Sequence, residues 1–491
     1  MTVETVPGRT EGQPDSDRVW NIETNGINPI PDSERHGNAK ELFWIWCASN
    51  ISILGITYGA FLVAFYGLNL WQGLLAGALG TILSFLLVGY VSLAGMLGGA
   101  PTLVLSRAPF GVTGNAIPTT ISYLSLVGWE IILVALATLA AQTVLDRIGA
   151  PTGDVTLAIS FAVIAAITIG IGLLGHATIV TIQTWFTWAF AAMTVVFLVL
   201  MIPEIDWDAV SALPSGSFWR GFVGGTSIIM AGLGIGWVNA AADYSRYLPR
   251  RSRPGAVVGW TVLGGSVAPL ILIGVGVLLT ANNPDLAGAD PIGALAEPLP
   301  TWFLIPYLLT AVGGLLAGAV LDIYSSGLNL LALGVRLPRY QSVAIDGVLM
   351  LVGNIYILFF AQDLVGPFTG FLITLGVPLA AWASIFLVDM FRFRRRDGYD
   401  ETDLYRPSGR YGRFHWPGLI AFGVATFIGL GLIVSTASIF SWVGYLLRWF
   451  GWDDGALAGS SIGVFVGFLL AGSLYAILTP SRSSGTDHSL T

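Results

Sequence analysis

The sequence predicts an all-α polytopic membrane protein of twelve transmembrane helices, a 5+5 inverted-repeat core followed by two accessory C-terminal helices. Three observations carry that prediction: charge is scarce, apolar runs of membrane length recur twelve times, and two of those runs are interrupted by glycine at corresponding places. Of the 491 residues, 54% are hydrophobic and only 10% charged, whereas soluble chains carry about 25% charged residues. Each span needs roughly 20 apolar residues. The 62 glycines suit helices that pack closely in lipid.

The apolar runs centre near Gly55, Ser84, Trp129, Ala165, Ala192, Gly232, Ala268, Leu316, Asn354, Gly376, Phe427 and Gly467, bounded by charged or Pro/Gly-rich breaks. An even number of spans leaves both termini on one side of the bilayer. The breaks on that side hold Arg107, Arg246, Arg250, Arg251, Arg253, Arg336, Arg339 and the arginines from Arg392 to Arg413, and the tails add Arg9, Arg18, Arg35, Lys40 and Arg482. Only Arg147, Arg220 and Arg448 fall opposite. This bias predicts a multi-pass protein of the plasma or inner membrane with cytoplasmic termini. The opposite loops collect acid: Glu204, Asp206, Asp208, Asp285, Asp290, Glu297, Asp453 and Asp454.

The expected organisation is then a cytoplasmic N-terminal tail over 1–41, without the apolar region of a signal peptide, and a ten-helix core over 42–391 with repeats at about 42–202 and 218–391. A cytoplasmic loop over 392–416 reads as a topology anchor that can face anionic lipid. Two accessory helices over 417–479 and a cytoplasmic tail over 480–491 complete it. Cys47 is the single cysteine, so no intrachain disulfide forms, and nothing points to nucleic acid.

The interrupted runs are spans one and six. Span six begins GGTSIIMAGLGIGWVNAAADYSRYLP at Gly224. Glycine inside a helix costs about 1 kcal/mol relative to alanine, and freed backbone is tolerated in a bilayer only where it lines a cavity. Span one reads WIWCASNISILGITYGAF, with Gly55 and Gly59 beside Ser49, Asn50, Ser52 and Thr57. Broken helices at corresponding positions of two five-span halves point to an inverted repeat with a transport site at their crossing.

Intramembrane polar residues are the next signal, because hydrocarbon makes them costly. Glu130 follows Trp129 deep in span three; it either serves a site or bonds a neighbouring helix end. Trp237, with Asn239, follows the glycines of span six and offers a flat indole to a flat ligand. Asp322 shares a helical face with Ser325 and Ser326 and could accept a ligand donor or carry a proton. Asp243 and Arg246, three apart, could form a local ion pair at the inner end of span six. His176 and His415 fall in inner loops and are expected to be solvated. No metal-ligand spacing, P-loop or nucleophile elbow occurs, so neither an enzyme, a cofactor nor a bound metal is expected.

Six segments taken together resemble the nucleobase:cation symporter family, purine/cytosine permease branch. They are IETNGINPIPDSERHG from Ile22, Asn50 followed by Gly59-Ala60, SRAPFGVTGN from Ser106, Gly128-Trp129, the stretch from Gly236 to Pro249, and DIYSSGLNL from Asp322. The resemblance implies a leucine-transporter-type core and a planar heterocycle held between Trp129 and Trp237. It also implies backbone contacts from a span-one break near Gly55, and places Asp322 where relatives usually have asparagine. Relatives often have an amide one turn beyond the span-three tryptophan. This chain has Leu133 there, which makes adjacent Glu130 the candidate for polar recognition. Sodium-coupled relatives have hydroxyls about one turn before the span-eight site residue; here stand Ala317, Gly318 and Ala319. The expected partners are therefore a nucleobase, cytosine or a purine, and a coupling cation, H+ in preference to Na+, carried by Asp322 or Glu130. Asn239 completes the expected site. Rival substrates are uracil, allantoin, hydantoins and thiamine. A channel would need a continuous polar stripe, and a non-transporting sensor is the remaining alternative.

Overall fold

The computed structural model describes residues 18–288, 291–361, 365–435 and 437–480, so Arg9, Asp290 and Arg482 lie outside the described residues. Among the described residues, nine helices have the length and apolarity to cross a membrane. They supply spans two to ten: Leu70–Gly98, Ala116–Arg147, Asp154–Leu174, His176–Glu204, Phe218–Ala240, Pro254–Thr280, Thr301–Ala332, Arg339–Phe359 and Val365–Asp397. Span one is made of two shorter helices, Glu41–Ala48 and Leu54–Ala64. Spans eleven and twelve are Trp416–Gly431 and Gly463–Leu478. Ile159, Val199, Val352 and Leu469 are among the large apolar side chains left exposed on the outside of the bundle. A soluble protein would not expose such a surface; here lipid covers it.

The two halves meet through their counterparts. The most extensive helix interfaces are span three against span eight and span two against span seven, as expected when two five-span units are related by an axis in the membrane plane. Spans one and seven approach so closely that only glycine fits. A Cβ on Gly59 would lie 2.2 Å from the Ile273 carbonyl oxygen, and one on Gly276 would lie 2.1 Å from that of Ile56. Small residues let helix backbones touch where lipid supplies no hydrophobic drive.

From residue 18 the N-terminal segment is a strap laid across the helix ends, with Glu23, Asn25, Asn28 and Arg35 buried. Its polar composition reflects bonding to those ends: Glu23 N–H donates to the Leu174 carbonyl, Ile30 N–H to Gly99 and His36 N–H to Tyr247. The Arg35 guanidinium donates to the Met96 carbonyl at 2.7 Å. The 392–416 loop is also more than an anchor. Val112 N–H donates to the Gly412 carbonyl, Arg107 donates to the Leu404 carbonyl, and Arg394 pairs with Asp389 at 2.9 Å.

Candidate functional site

Both predicted interruptions exist. In span one the helix stops at Ala48 and restarts at Leu54. Within the break, Asn50 turns its amide back onto the Trp46 carbonyl at 2.8 Å, a local bond that competes with the helical ladder. The break thus spans Ser49 to Ile53, just before Gly55. Gly55 itself is helical, and its role is close packing: a Cβ there would meet Leu272 Cβ at 2.7 Å.

In span six the helix Gly224–Gly232 ends at Leu233, whose φ of −115° and ψ of −110° leave the helical region, and a short turn runs from Gly234 to Trp237. The freed groups find partners from other spans, as apolar surroundings require. Tyr58 Oη of span one donates to the Gly232 carbonyl at 3.1 Å. Gly234 N–H donates to Ser84 Oγ of span two at 3.1 Å. Tyr58 thereby ties one broken helix to the other, and sequence reasoning missed it because nothing local marks that tyrosine.

Between the breaks lies a cavity of about 30 Å³ lined by Ser49, Asn50, Gly55, Tyr58, Trp129, Leu133, Leu233 and Trp237, among others. Trp129 and Trp237 are each 8% exposed and both face it. Gly236 brings the span-six backbone against Trp129, since a Cβ there would lie 3.1 Å from the indole Nε1. Each indole is braced edge-on from behind: Trp237 by Trp46 at 5.6 Å between centroids, and Trp129 by Phe368 at 5.6 Å. An apolar cavity that binds benzene measures about 150 Å³, so a heterocycle can enter this one only if the walls part. A vestibule of about 690 Å³, on the side away from the N-terminal strap, is walled by Phe61, Phe65, Tyr66, Arg220 and Ile373.

The other predicted residues are buried but stand behind the cavity wall. Trp129 and Leu133, one turn apart, share the face of span three that lines the cavity, while Glu130 is turned towards spans eight and nine. Its two carboxyl oxygens accept no hydrogen bond, and neither do those of Asp322. Span eight reaches the cavity wall one turn earlier, at Gly318, where a Cβ would lie 2.9 Å from Leu133 Cδ1. Asn239 donates to Ser122 Oγ at 2.6 Å, and Asn329 donates to the same oxygen at 2.7 Å.

The local ion pair that the spacing of Asp243 and Arg246 allows does not form. Asp243 Oδ1 accepts from Thr102 N–H at 2.7 Å and Thr102 Oγ1 at 2.9 Å. Arg246 reaches across to Glu23 of the strap instead, at 2.8 Å. His176 is buried and not solvated, stacked on Tyr247 at 4.5 Å between centroids. His415 is half-buried, its Nδ1 2.9 Å from the Pro109 carbonyl oxygen. Glu23 also accepts from Tyr247 and Tyr324 hydroxyls, so spans six and eight are closed together on the strap side. Among the described residues no group of three or more His, Cys, Asp or Glu is placed to hold a metal ion.

Broken spans, a cavity at their crossing and paired half-bundles are the geometry of a transporter. A family profile described as a permease for cytosine/purines, uracil, thiamine and allantoin matches residues 29–450. The chain belongs to that family. It is accordingly a membrane permease and not an enzyme. It is 27% identical to the Bacillus subtilis (strain 168) protein YxlA over 94% of this chain and 96% of that one. It is 25% identical to purine-cytosine permease FCY2 of Saccharomyces cerevisiae over 94% and 86%. Its fold matches that of Mhp1, a nucleobase-cation-symport-1 family transporter in a closed conformation with bromovinylhydantoin bound. The TM-score is 0.71 at 20% identity, covering 92% of this chain and 95% of that one.

Proposed function

We propose that this permease imports a nucleobase, cytosine or a purine, by proton symport across the cell membrane, with both termini cytoplasmic. The observation that carries the reading is the cavity between the two breaks, whose wall includes both Trp129 and Trp237. A flat ring stacks between the indoles, gaining roughly 0.5–1.5 kcal/mol per aromatic pair beyond burial. The span-one break from Ser49 to Ile53, with Gly55 just after it, supplies backbone contacts. Asn239, Asp322 and Glu130, in the layer behind, reach the ring's polar edge when the walls part. An amino-bearing ring suits an acid-lined edge, because carboxyl groups accept its N–H donors. The vestibule is the outer entrance, and the two repeats, 42–202 and 218–391, rock about the fixed site.

Proton coupling is favoured over sodium by the oxygen supply. Sodium needs several oxygen ligands, and span eight offers Ala317, Gly318 and Ala319 where hydroxyls would be needed. The Ala317 carbonyl already accepts from Gln183 Nε2 of span five at 2.8 Å. Asp322 and Glu130 are the candidates to carry the proton. Uptake of labelled cytosine and hypoxanthine in sodium-free buffer across pH tests the reading: sodium-dependent, pH-indifferent uptake would overturn it. A second reading, a hydantoin or related ring as substrate, is favoured by 25% identity to the hydantoin permease of Microbacterium maritypicum over 81% of this chain. Competition by hydantoins against labelled nucleobase separates the two.

A further inference from the structure

Glu130 and Asp322 are not the only acids in this part of the bundle. Asp346 of span nine is 0% exposed and lies with them where spans three, eight and nine meet. Its Oδ1 accepts from the Tyr123 hydroxyl at 2.5 Å and its Oδ2 from the Ser326 hydroxyl at 3.1 Å. Ser326 also faces the Glu130 carboxyl. On span eight, Ser326 is one turn from Asp322, and on span three Tyr123 is two turns from Glu130. The polar atoms therefore form a ladder along facing helices, about 10 Å of it between Tyr123 and Glu130 at 1.5 Å per residue.

The three carboxyls differ in what surrounds them. Asp346 receives two donors, the Tyr123 and Ser326 hydroxyls. Glu130 and Asp322 receive none, and an unpaired polar group is costly in hydrocarbon surroundings. The groups facing the cluster are Tyr123 and Glu130 from span three, Asp322 and Ser326 from span eight, and Asp346 from span nine. Among the described residues no Lys, Arg or His lies against it. Arg339, the basic residue of span nine nearest to Asp346 in sequence, is bound to the Gly172 and Leu173 carbonyls and to Glu23.

We propose that Asp346 is the inner station of the proton path. Resting on the proton-symport reading above, it receives the proton that Glu130 or Asp322 carries past the substrate and releases it to the cytoplasmic side beside Tyr123. The step balances simply: the Glu130 O–H proton passes by the Ser326 hydroxyl to the Asp346 carboxylate, leaving Glu130 ionised and Asp346 neutral. Asp346 then gives the proton to water at the inner end of spans three and nine.

The test uses purified full-length protein in liposomes. A pH gradient, acid outside, is imposed with labelled cytosine and labelled hypoxanthine offered in turn, and wild type is compared with Asp346→Asn and Tyr123→Phe. The expected result is that Asp346→Asn falls to the uptake seen without a gradient, while Tyr123→Phe shifts the pH midpoint of uptake. Infrared titration of protonated carboxyl bands serves as a readout independent of substrate: one wild-type titration step should vanish in Asp346→Asn and move in Tyr123→Phe. Gradient-driven uptake by Asp346→Asn equal to wild type, or infrared titrations of both variants superimposable on wild type, overturns the proposal. Wild-type uptake driven by sodium and indifferent to pH would overturn the proton-symport reading itself, a separate outcome.

Discussion

Arg246 of span six and Glu23 of the N-terminal strap meet as a fully enclosed ion pair, guanidinium nitrogen to carboxylate oxygen at 2.8 Å, both side chains without solvent exposure. The pair joins segments more than two hundred residues apart and closes the bundle on the strap side. Removing Glu23 leaves Arg246 buried without its ion-pair partner, a cost of about 3–5 kcal/mol, whereas removing Arg246 leaves Glu23 with Arg339 at 3.7 Å. Glu23→Ala and Arg246→Ala should each lower thermal stability markedly, and the double variant should lose less than the two single losses summed. Additive losses in that double-mutant cycle would mean that the pair is not coupled.

The glycine contact between spans one and seven makes a second prediction. Gly59→Val drives a side chain into the Ile273 carbonyl and should cost roughly 1–3 kcal/mol, the usual range for overpacking. Gly255→Ala, in the first turn of span seven with open space around it, should be neutral or stabilising by up to about 1 kcal/mol. Thermal-shift measurements on the two purified variants check the contrast; equal effects would refute it.

On the strap side, Arg250 bridges Asp32 at 2.9 Å and also pairs with Glu401. The hydrogen bond from Arg250 holds the Asp32 carboxyl below the usual carboxylate range. A lowered folded-state value means that this tie is present above the ordinary Asp value and lost as pH falls through the lowered one. Amide protection in residues 30–36, taken relative to the intrinsic exchange rate at each pH, should therefore fall on the acid side of the carboxylate range and stay flat near neutrality. Exchange in Arg250→Gln should already be fast at neutral pH. Acid-insensitive protection in the wild type would remove the basis for this tie.

Much of the architecture was legible in the sequence, and the residues show why. Charge scarcity and apolar run length fix spans because the bilayer leaves few alternatives, and the cluster Gly232, Gly234 and Gly236 announced the break that falls at Leu233. Gly55 misled by a few residues: glycine serves close packing against Leu272 as readily as helix breaking, and Asn50's side-chain bond to its own backbone marks the break better. The strap was illegible because its partners, Arg246, Tyr324 and Arg339, arrive from distant spans. Reading Asp243 and Arg246 as neighbours failed for the same reason, since each is claimed by a residue far away in sequence. Glu130 and Asp322 stood out as polar residues in apolar runs, but the direction a side chain takes around a helix decides whether it faces cavity or neighbour, and adjacency to Trp129 does not reveal that.

Stacking makes a graded prediction. Trp237→Phe keeps an aromatic face and should weaken binding about 2–13-fold, the equivalent of 0.5–1.5 kcal/mol, while Trp237→Ala should abolish uptake with protein still present in the membrane. Asp322→Ala should also abolish uptake. Wild-type transport by either alanine variant would defeat the assignment of that residue.

The most direct test of the central claim, that the cavity between the two breaks holds the transported ring, is equilibrium binding of labelled nucleobase to purified wild type, Trp129→Ala and Trp237→Ala in detergent. The account predicts saturable binding to the wild type and its loss in both variants, each still folded by thermal shift. Undiminished binding in either variant would contradict it.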